Sequence, residues 1–223
     1  LIEESYDVSA EGFSDQQLLN FIEEKKISCP TCKSEFEYDI KKESLMMSTC
    51  VGGIDASLRP ETATVTYLPF KRYYEFFRKK LPIGVFQIGK VFRNEVSPRQ
   101  HVIRSREFTQ AEGQLFIDPK EKNNWEMYHE VKKHKLPLWT HQDQKAGKEP
   151  SLMSVEDAIK KRVLQFTSYA WCVWLAYQQF LHMGIPPDRI RIRQHHPDER
   201  AFYANDAWDI EVKLNNYGWT ELC

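Results

Sequence analysis

Residues 84–117 decide the fold, and they read GVFQIGKVFRNEVSPRQHVIRSREFTQAEGQLFI. The side chains alternate in character over residues 84–95 and again over residues 104–117, which is the period of a β-strand. Ser97-Pro98-Arg99 stands between the two runs and is typical of a loop. The pattern therefore predicts a β-hairpin with a basic loop.

The second strand of this hairpin has two unlike faces. Successive side chains point to opposite sides of a strand, so residues two apart share a face. One face is small or apolar and carries Thr109, Ala111, Gly113, Leu115 and Ile117. The other mixes guanidinium, amide and carboxylate groups with one ring, at Arg104, Arg106, Phe108, Gln110, Glu112 and Gln114. By the same rule, Arg93 and Glu95 share a face of the first strand.

Two interpretations fit the polar face. Antiparallel sheets commonly bury an apolar face and expose a charged one, so these charges can simply be solvated. The alternative is a nucleotide site, because arginines suit phosphate oxygens, a carboxylate can accept from a purine amine, and a ring can stack on a base. Phe108 stands alone among charges and gains nothing from water, which favours the nucleotide. ATP offers all three chemical groups.

Helices and further strands flank the hairpin. A short helix is predicted from Ser14, with Gln17 at the reciprocal capping position, and a second helix over residues 69–80. A long helix is predicted from Ser154 to Gly184, which two prolines follow. Strands are predicted over residues 189–193, 208–212 and 217–222. The predicted fold class is α+β, an antiparallel β-sheet flanked by helices.

The distribution of charge and polarity suggests two domains. Residues 1–50 form a small acidic insertion with a CxxC turn, and residues 3–43 hold eleven acidic against five basic side chains. Residues 51–223 form the core. A polar insertion near residues 118–150 lacks an apolar period and is expected to be an irregular surface segment with one helical turn. Within residues 71–106 there are ten basic and two acidic side chains, which favours an anionic ligand.

Composition narrows the function classes. The chain has 223 residues, 41% of them hydrophobic and 28% charged, with a net charge of −1, so it can bury a core. It contains no run of eighteen apolar residues and no signal sequence, so no membrane segment is expected. Its five cysteines are irregularly spaced, which favours a reducing compartment over a disulfide framework. A cytoplasmic protein is therefore expected.

Two further clusters have metal-ligating side chains. Cys29 and Cys32 have the spacing of half a zinc site, but structural zinc takes about four ligands and Cys50 is the only nearby third candidate. A turn with two free thiols is favoured over zinc. His195 and His196 precede two carboxylates, and a solvated turn is favoured there over a metal or acid–base pair because the spacing fits no standard ligand set.

Several short motifs resemble one family. Phe92-Arg93-x-Glu95, an eight-residue loop and Arg104-x-x-x-Phe108 resemble motif 2 of the class II aminoacyl-tRNA synthetases. The surrounding short motifs resemble those of the glycyl-tRNA synthetases of the archaeal and eukaryotic type, and they extend over nearly the whole chain. They are Leu58-Arg59-Pro60-Glu61-Thr62-Ala63, Gln87-Ile88-Gly89, Phe92 to Arg99, Arg106 to Glu112, Arg191-x-Arg193-Gln194-His195, Asp206-x-Trp208-Asp209 and Tyr217-Gly218-Trp219-x-Glu221.

The resemblance implies a role for each matching residue. Arg93 would contact the α-phosphate of ATP and Arg104 the γ-phosphate, which makes these two the catalytic residues. Glu95 would accept from the adenine amine, and Phe108 would stack on the base. The further implied ATP contacts are Asn94, Ser105, Glu221 and Leu222, with Glu221 also holding Mg²⁺. Glu61 and Glu112 would bind the ammonium group of glycine.

Two motifs of the class are not found in the chain. Motif 1 builds the dimer interface, and motif 3 adds an ATP-binding arginine. The resemblance therefore implies a homodimer, or a partner chain that supplies them, and an incomplete catalytic domain of a glycine–tRNA ligase acting on ATP, glycine and tRNA(Gly). The alternative is a noncatalytic accessory or nucleic-acid-binding subunit on the same fold, which would keep the fold and lose the ATP residues.

Overall fold

The computed structural model describes Ile2, Tyr6 and residues 13–37, 39–41, 43–95, 98, 104–201 and 203–223. The chain divides into two compact units. The hairpin unit is Asp15–Asp118, and the sheet unit is Leu1–Ser14 together with Pro119–Cys223. The loop residues Ser97 and Arg99 fall outside the described residues.

In its described residues, the hairpin unit contains three helices and two β-hairpins. In chain order its elements are α1 (Asp15–Glu24), β1 (Ser48–Val51), β2 (Ile54–Ser57), α2 (Thr64–Tyr67), α3 (Phe70–Phe76), β3 (Ile83–Phe92) and β4 (Glu107–Phe116). Strands β1 and β2 are antiparallel and meet at Gly52 and Gly53, whose φ of 60° and 82° suits the turn that closes a tight hairpin. The helix predicted over residues 69–80 is confirmed but ends at Phe76, because Arg78 and Lys79 have positive φ.

The predicted hairpin of residues 84–117 is confirmed. Strands β3 and β4 pair antiparallel over ten residues each, with Phe92 opposite Glu107 and Gln87 opposite Glu112. Both strands stop short of the loop. Arg93 to Glu95 is a turn rather than a strand, since the Glu95 N–H donates to the Arg93 carbonyl at 2.8 Å. The prediction that Arg93 and Glu95 share a strand face is therefore wrong.

The exposure of the two hairpin faces is the reverse of that in a simple half-exposed sheet, in which the apolar face is buried and the polar face is exposed. The small, apolar face is exposed, and Phe86 and Ile88 on it are 68% and 62% accessible. On the polar face, Phe108, Gln110 and Glu112 are half-buried. Burial of polar groups needs hydrogen-bond partners, so the polar face is organised around specific contacts rather than around water.

The sheet unit is built on a five-stranded sheet with the order β6-β5-β7-β8-β9. Strands β5 and β7 are parallel, and the other neighbours are antiparallel. Its elements are α4 (Tyr128–Val131), β5 (Lys135–Trp139), α5 (His141–Lys145), β6 (Ser151–Ser154), α6 (Val155–Lys160), α7 (Thr167–His182), a 3₁₀ turn (Pro187–Arg189), β7 (Ile190–Gln194), β8 (Trp208–Leu214) and β9 (Gly218–Glu221). The three predicted C-terminal strands and the mixed α+β fold class are confirmed.

Two predictions for this unit are wrong. Residues 118–150 are not an irregular surface segment, because they contain α4, β5 and α5, and Leu136 and Leu138 of β5 are fully buried. The five residues of β5 are too few to show a clear period. The long helix predicted from Ser154 is two helices, separated where Arg162 takes a φ of 57°. Ser154 does cap the first of them, accepting from the Asp157 N–H at 3.1 Å.

The sheet has one apolar and one polar face. Ile190 and Ile192 of β7, together with Ile210 and Val212 of β8, are buried in a core that includes residues of α7. The alternate residues of β7 and β8 lie on the other face, where they form ion pairs. All six tryptophans of the chain belong to the sheet unit. Of the helices within the described residues, none is long and apolar enough to cross a bilayer.

Candidate active site

The polar face of β4 is covered by residues 58–62, the segment that leads from β2 to α2. Three hydrogen bonds hold this segment to the end of β3. The Phe92 N–H donates to the Arg59 carbonyl at 2.9 Å, and Arg59 Nε donates to the Lys90 carbonyl at 2.8 Å. Arg93 Nε donates to the Pro60 carbonyl at 3.1 Å. Glu61 is therefore carried on a fixed stretch of backbone.

Gly89 allows this close approach. A Cβ built at position 89 would collide with Nη2 of Arg59. The absence of a side chain at position 89 thus leaves room for the Arg59 guanidinium beside the strand. This explains a glycine in the interior of a ten-residue strand, where its backbone entropy is otherwise unfavourable.

Thr62 joins the segment to β4. Its N–H donates to Gln110 Oε1 at 2.9 Å, and its hydroxyl donates to Glu112 Oε2 at 2.5 Å. Thr62 itself is fully buried. The carboxylate of Glu112 is consequently held by a charge-assisted hydrogen bond from Thr62, the residue that follows Glu61 in the chain.

Arg93 and Phe108 lie together, as the nucleotide interpretation requires. The guanidinium carbon of Arg93 is 5.4 Å from the centroid of the Phe108 ring, within the range of a cation–π contact. The backbone N–H of Arg93 also donates to the Arg106 carbonyl at 3.0 Å, which ties the end of β3 to the residue before β4. A cation and an aromatic ring are thus placed side by side at the loop end of the hairpin.

Glu95 and Arg104 form an ion pair at the same end. Arg104 Nη1 is 4.0 Å from Glu95 Oε2, and the Arg104 side chain is 56% exposed against 19% for Glu95. Arg106 Nε donates to the Glu95 carbonyl at 3.1 Å. The exposed arginine can reach an anion, while the carboxylate stays close to the backbone of the turn.

The side chains of Asn94 and Ser105, the other two hairpin residues implied as ATP contacts, donate hydrogen bonds to backbone carbonyls. The Asn94 side chain donates to the Ser44 carbonyl at 3.2 Å, and its N–H donates to the Leu45 carbonyl at 2.8 Å. The Ser105 hydroxyl donates to the Glu107 carbonyl at 2.8 Å. These contacts fix the backbone around Glu95 and Arg104.

Glu221 and Leu222 belong to the sheet unit. Glu221 ends β9 directly opposite Glu211 of β8, on the polar face of the sheet. The Leu222 N–H donates to the Ile210 carbonyl at 3.0 Å, so Leu222 continues the sheet while its side chain is exposed.

The polar face of the sheet unit carries an ion-pair network that sequence reasoning missed. Arg191 Nε donates to Glu211 Oε2, and the guanidinium carbon lies 3.9 Å from the Trp139 ring and 4.3 Å from the Trp219 ring. Arg193 Nη2 donates to both carboxylate oxygens of Glu199, at 2.8 and 2.9 Å. The signal was available, because basic side chains at alternate positions of β7 face acidic ones at alternate positions of β8.

His195 belongs to this network, so the solvated turn expected there is wrong for this residue. His195 Nε2 is 2.7 Å from both carboxylate oxygens of Asp209, and the side chain is 25% exposed. The hydrogen bond to Asp209 raises the pKa of His195 above its usual range, against the opposing effect of burial. His196 is more exposed and contacts Asp198 at 3.3 Å.

The residues that form this geometry are similar in sequence to known proteins. The family described as the tRNA synthetase class II core domain (G, H, P, S and T) matches residues 53–142, which include the 58–62 segment and both strands of the hairpin. The chain is 43% identical to a glycine–tRNA ligase of Methanococcus maripaludis over 99% of its own length and 40% of the relative's. Residues 53–142 belong to the class II tRNA synthetase core-domain family.

Further synthetase relatives give the same picture. Glycine–tRNA ligases of Thermococcus gammatolerans and Pyrococcus abyssi are 42% and 43% identical, each over 99% of the chain and 39% of the relative. The chain therefore spans about two fifths of the length of these synthetases. The match covers the sheet unit as well as the hairpin unit, although the core-domain family itself reaches only to residue 142.

Two features of the chain lie away from the polar face of β4. A cavity of about 510 Å³ is lined by aromatic residues of α3 and by Phe86 on the exposed face of β3, and no predicted site residue lines it. Cys29 and Cys32 occupy a turn in which the Lys33 N–H donates to the Cys29 carbonyl at 2.9 Å. Within the described residues, no third histidine, cysteine or carboxylate joins them in a metal-binding group.

Proposed function

We propose that this chain carries the ATP- and glycine-binding part of a glycine–tRNA ligase. The observation that supports this most is the polar face of the β3–β4 hairpin, where the Arg93 guanidinium lies beside the Phe108 ring and Thr62 holds Glu112. A charged face half-buried beneath a fixed segment is prepared for a ligand, because unsatisfied charges in such a place are costly.

ATP would occupy the loop end of the hairpin. Phe108 offers a ring for the adenine, and Glu95 offers a carboxylate to its amine. Arg93 would stabilise the α-phosphate as the glycine carboxylate attacks the phosphorus and pyrophosphate leaves. Arg104 is exposed enough to follow the γ-phosphate, and in the free protein it pairs with Glu95 instead.

Glycine would lie between the 58–62 segment and β4. The amino acid has no side chain to recognise, so selectivity has to come from binding its ammonium group in a space too small for a β-carbon. Glu112 and Glu61 supply carboxylates on fixed backbone. Within the described residues, no donor is hydrogen-bonded to the Glu61 carboxylate, so its oxygens remain for the ammonium group.

The remaining parts of the proposal rest on the family. Glu221 would hold Mg²⁺, which usually takes only one or two protein carboxylates beside water and phosphate, and a carboxylate on a polar sheet face fits that need. The ion would neutralise charge on the phosphates. tRNA(Gly) is the proposed acceptor. A homodimer or partner chain carrying motifs 1 and 3, and a cytoplasmic location suited to the five free cysteines, complete the proposal.

Glycine-dependent exchange of pyrophosphate into ATP tests the function. The assay is run with the chain alone and with a chain that supplies motifs 1 and 3. Arg93→Lys keeps the charge but loses the planar fork, and it should reduce exchange about 100-fold or more. Arg72→Lys, at an exposed position on α3, is the matched control and should retain activity.

The outcomes separate the two function classes. Exchange that needs the added chain and is lost in Arg93→Lys supports a ligase with a divided active site. Absence of exchange and of ATP binding in both preparations, with folded protein, would instead indicate the noncatalytic accessory subunit.

A further inference from the structure

Thr62 uses both of its hydrogen-bond donors on the side chains of β4. Its N–H donates to Gln110 Oε1 at 2.9 Å. Its hydroxyl oxygen is 2.5 Å from Glu112 Oε2 and 3.3 Å from Gln110 Oε1. A threonine hydroxyl has one hydrogen, so the shorter distance identifies Glu112 as its acceptor.

This hydrogen bond leaves the Glu112 carboxylate with two different oxygens. Oε2 is occupied by the fully buried hydroxyl of Thr62, whereas Oε1 remains to accept from a ligand. A glutamate side chain otherwise samples several rotamers, and ordering it on binding would weaken the affinity. Holding one oxygen in advance removes that cost.

We infer that Thr62 is the positioning residue that gives the site its preference for a small ammonium ligand, by presenting Oε1 of Glu112 at a fixed place. The inference rests on the proposed function. Thr62 also follows Glu61 in the chain, so the backbone that carries the second carboxylate is fixed by the same residue. Neither carboxylate then has to move when glycine binds.

A purely structural role for the hydroxyl is the competing explanation. Three other hydrogen bonds already hold the segment, from the Phe92 N–H, from Arg59 Nε and from Arg93 Nε. The Thr62 N–H bond to Gln110 also survives any change of the side chain. Loss of the hydroxyl should therefore leave the segment in place and disturb Glu112 alone.

The test compares three variants of the full chain by NMR titration. Thr62→Val removes the hydroxyl with little change of shape, and Thr62→Ser retains it. Thr66→Val is the matched control, since Thr66 is also buried but its hydroxyl donates to the Ala63 carbonyl. The ligands are glycine, glycinamide, acetate and ATP. Glycinamide keeps the ammonium group without the carboxylate, and acetate keeps the carboxylate without the ammonium group.

Thr62→Val should weaken glycine and glycinamide about 10- to 100-fold, the effect of losing one hydrogen bond to a charged group. It should leave acetate and ATP unchanged, and Thr62→Ser and Thr66→Val should resemble the wild type. The Thr62 hydroxyl proton offers a readout without mutation. It should exchange slowly in the free protein and persist when glycine is bound.

Each other outcome overturns the inference in a distinguishable way. Equal glycine affinity in the wild type and Thr62→Val removes the positioning role and leaves the proposed function intact. Equal losses for ATP and glycine indicate a structural role instead. A fast-exchanging hydroxyl proton disproves the hydrogen bond. Failure of the wild-type chain to bind glycine overturns the proposed function, and the role of Thr62 with it.

Discussion

The guanidinium of Arg59 lies against the backbone of Gly89, and its Nε donates to the next carbonyl, that of Lys90, at 2.8 Å. A long cationic side chain therefore crosses strand β3 at Gly89, where no side chain blocks it. This contact sets how closely the 58–62 segment approaches the hairpin, and so where Glu61 and Thr62 lie.

Gly89→Ala should destabilise the hairpin unit. The added methyl group displaces Nη2 of Arg59, which is the end of a flexible side chain, so the expected cost is that of the weakened hydrogen bond to the Lys90 carbonyl, about 1 kcal/mol. Gly84→Ala is the matched control in the same strand, because a Cβ there meets nothing within 4 Å. The control should be neutral or stabilising by up to about 1 kcal/mol. Amide hydrogen exchange of β3 and β4 measures both, and equal protection in the two variants would contradict the prediction.

Glu112→Gln should weaken glycine far more than ATP. The glutamine oxygen can still accept from the Thr62 hydroxyl, so the geometry is kept while the negative charge is lost. Glycine affinity should fall about 10- to 100-fold, as expected for a charge-assisted contact, when measured by calorimetric titration.

The control for this charge change is Glu107→Gln. Glu107 pairs with Lys90 at 3.2 Å, both side chains are 58% exposed, and such surface pairs contribute little. It should bind both ligands as the wild type does. Parallel losses of ATP and glycine in Glu112→Gln would count against the glycine pocket.

The sheet unit should become less stable as the pH rises through the pKa of His195. The hydrogen bond to Asp209 raises that pKa above the usual 6.5, so the folded chain binds the proton more tightly than the unfolded chain. The stabilisation is complete below about pH 6.5 and is lost above the folded-state pKa. Arg193 opposes the protonated form and Glu199 favours it.

His195 can be observed separately from other histidines. The pKa of His141 is lowered, by burial first and then by His196 and Arg200, so its contribution to stability has the opposite sign. The ring resonances of His195 should titrate above pH 6.5 in the wild type and lower in Asp209→Asn. An unchanged titration in Asp209→Asn would rule out the Asp209 contact as the cause.

The thiol of Cys32 should be more reactive than the thiols of Cys172 and Cys223. Hydrogen bonding by Ser34 lowers the pKa of Cys32 to about 7, whereas burial raises the pKa of Cys172. Iodoacetamide at pH 7 should therefore modify Cys32 long before Cys172, as followed by mass spectrometry. Ser34→Ala should slow the reaction of Cys32 and leave Cys172 unaffected. Equal rates at the two cysteines would refute the assignment.

The strongest local sequence patterns correctly predicted secondary-structure elements. Alternation over residues 84–117 predicted the hairpin, and the capping pattern at Ser154 located a helix start. Strand β5 was missed because five residues in a polar stretch, three of them buried, are too few to show a recognisable period. The break at Arg162 was missed because a positive φ at an arginine is set by packing and has no signature in the residue type.

The sequence proposed candidate residues for the site but not the contacts that hold them. Family resemblance named Arg93, Phe108 and Glu112, and the alternation of side chains along β4 brings Phe108 and Glu112 onto one face. The Thr62 hydrogen bond and the Arg59 crossing are contacts between residues about 30 to 50 positions apart in sequence. Composition and local period carry no information at such separations, so these contacts required coordinates.

Because all six indole rings lie in the sheet unit, tryptophan fluorescence and backbone amide spectra report on different parts of the chain. Tryptophan emission reports on the sheet unit, where Trp139 and Trp219 enclose Arg191, whereas the hairpin unit with Arg93 and Glu112 contains no tryptophan. A ligand that changes the amide spectrum of the hairpin unit without changing this emission acts locally. One that changes both couples the two halves of the chain.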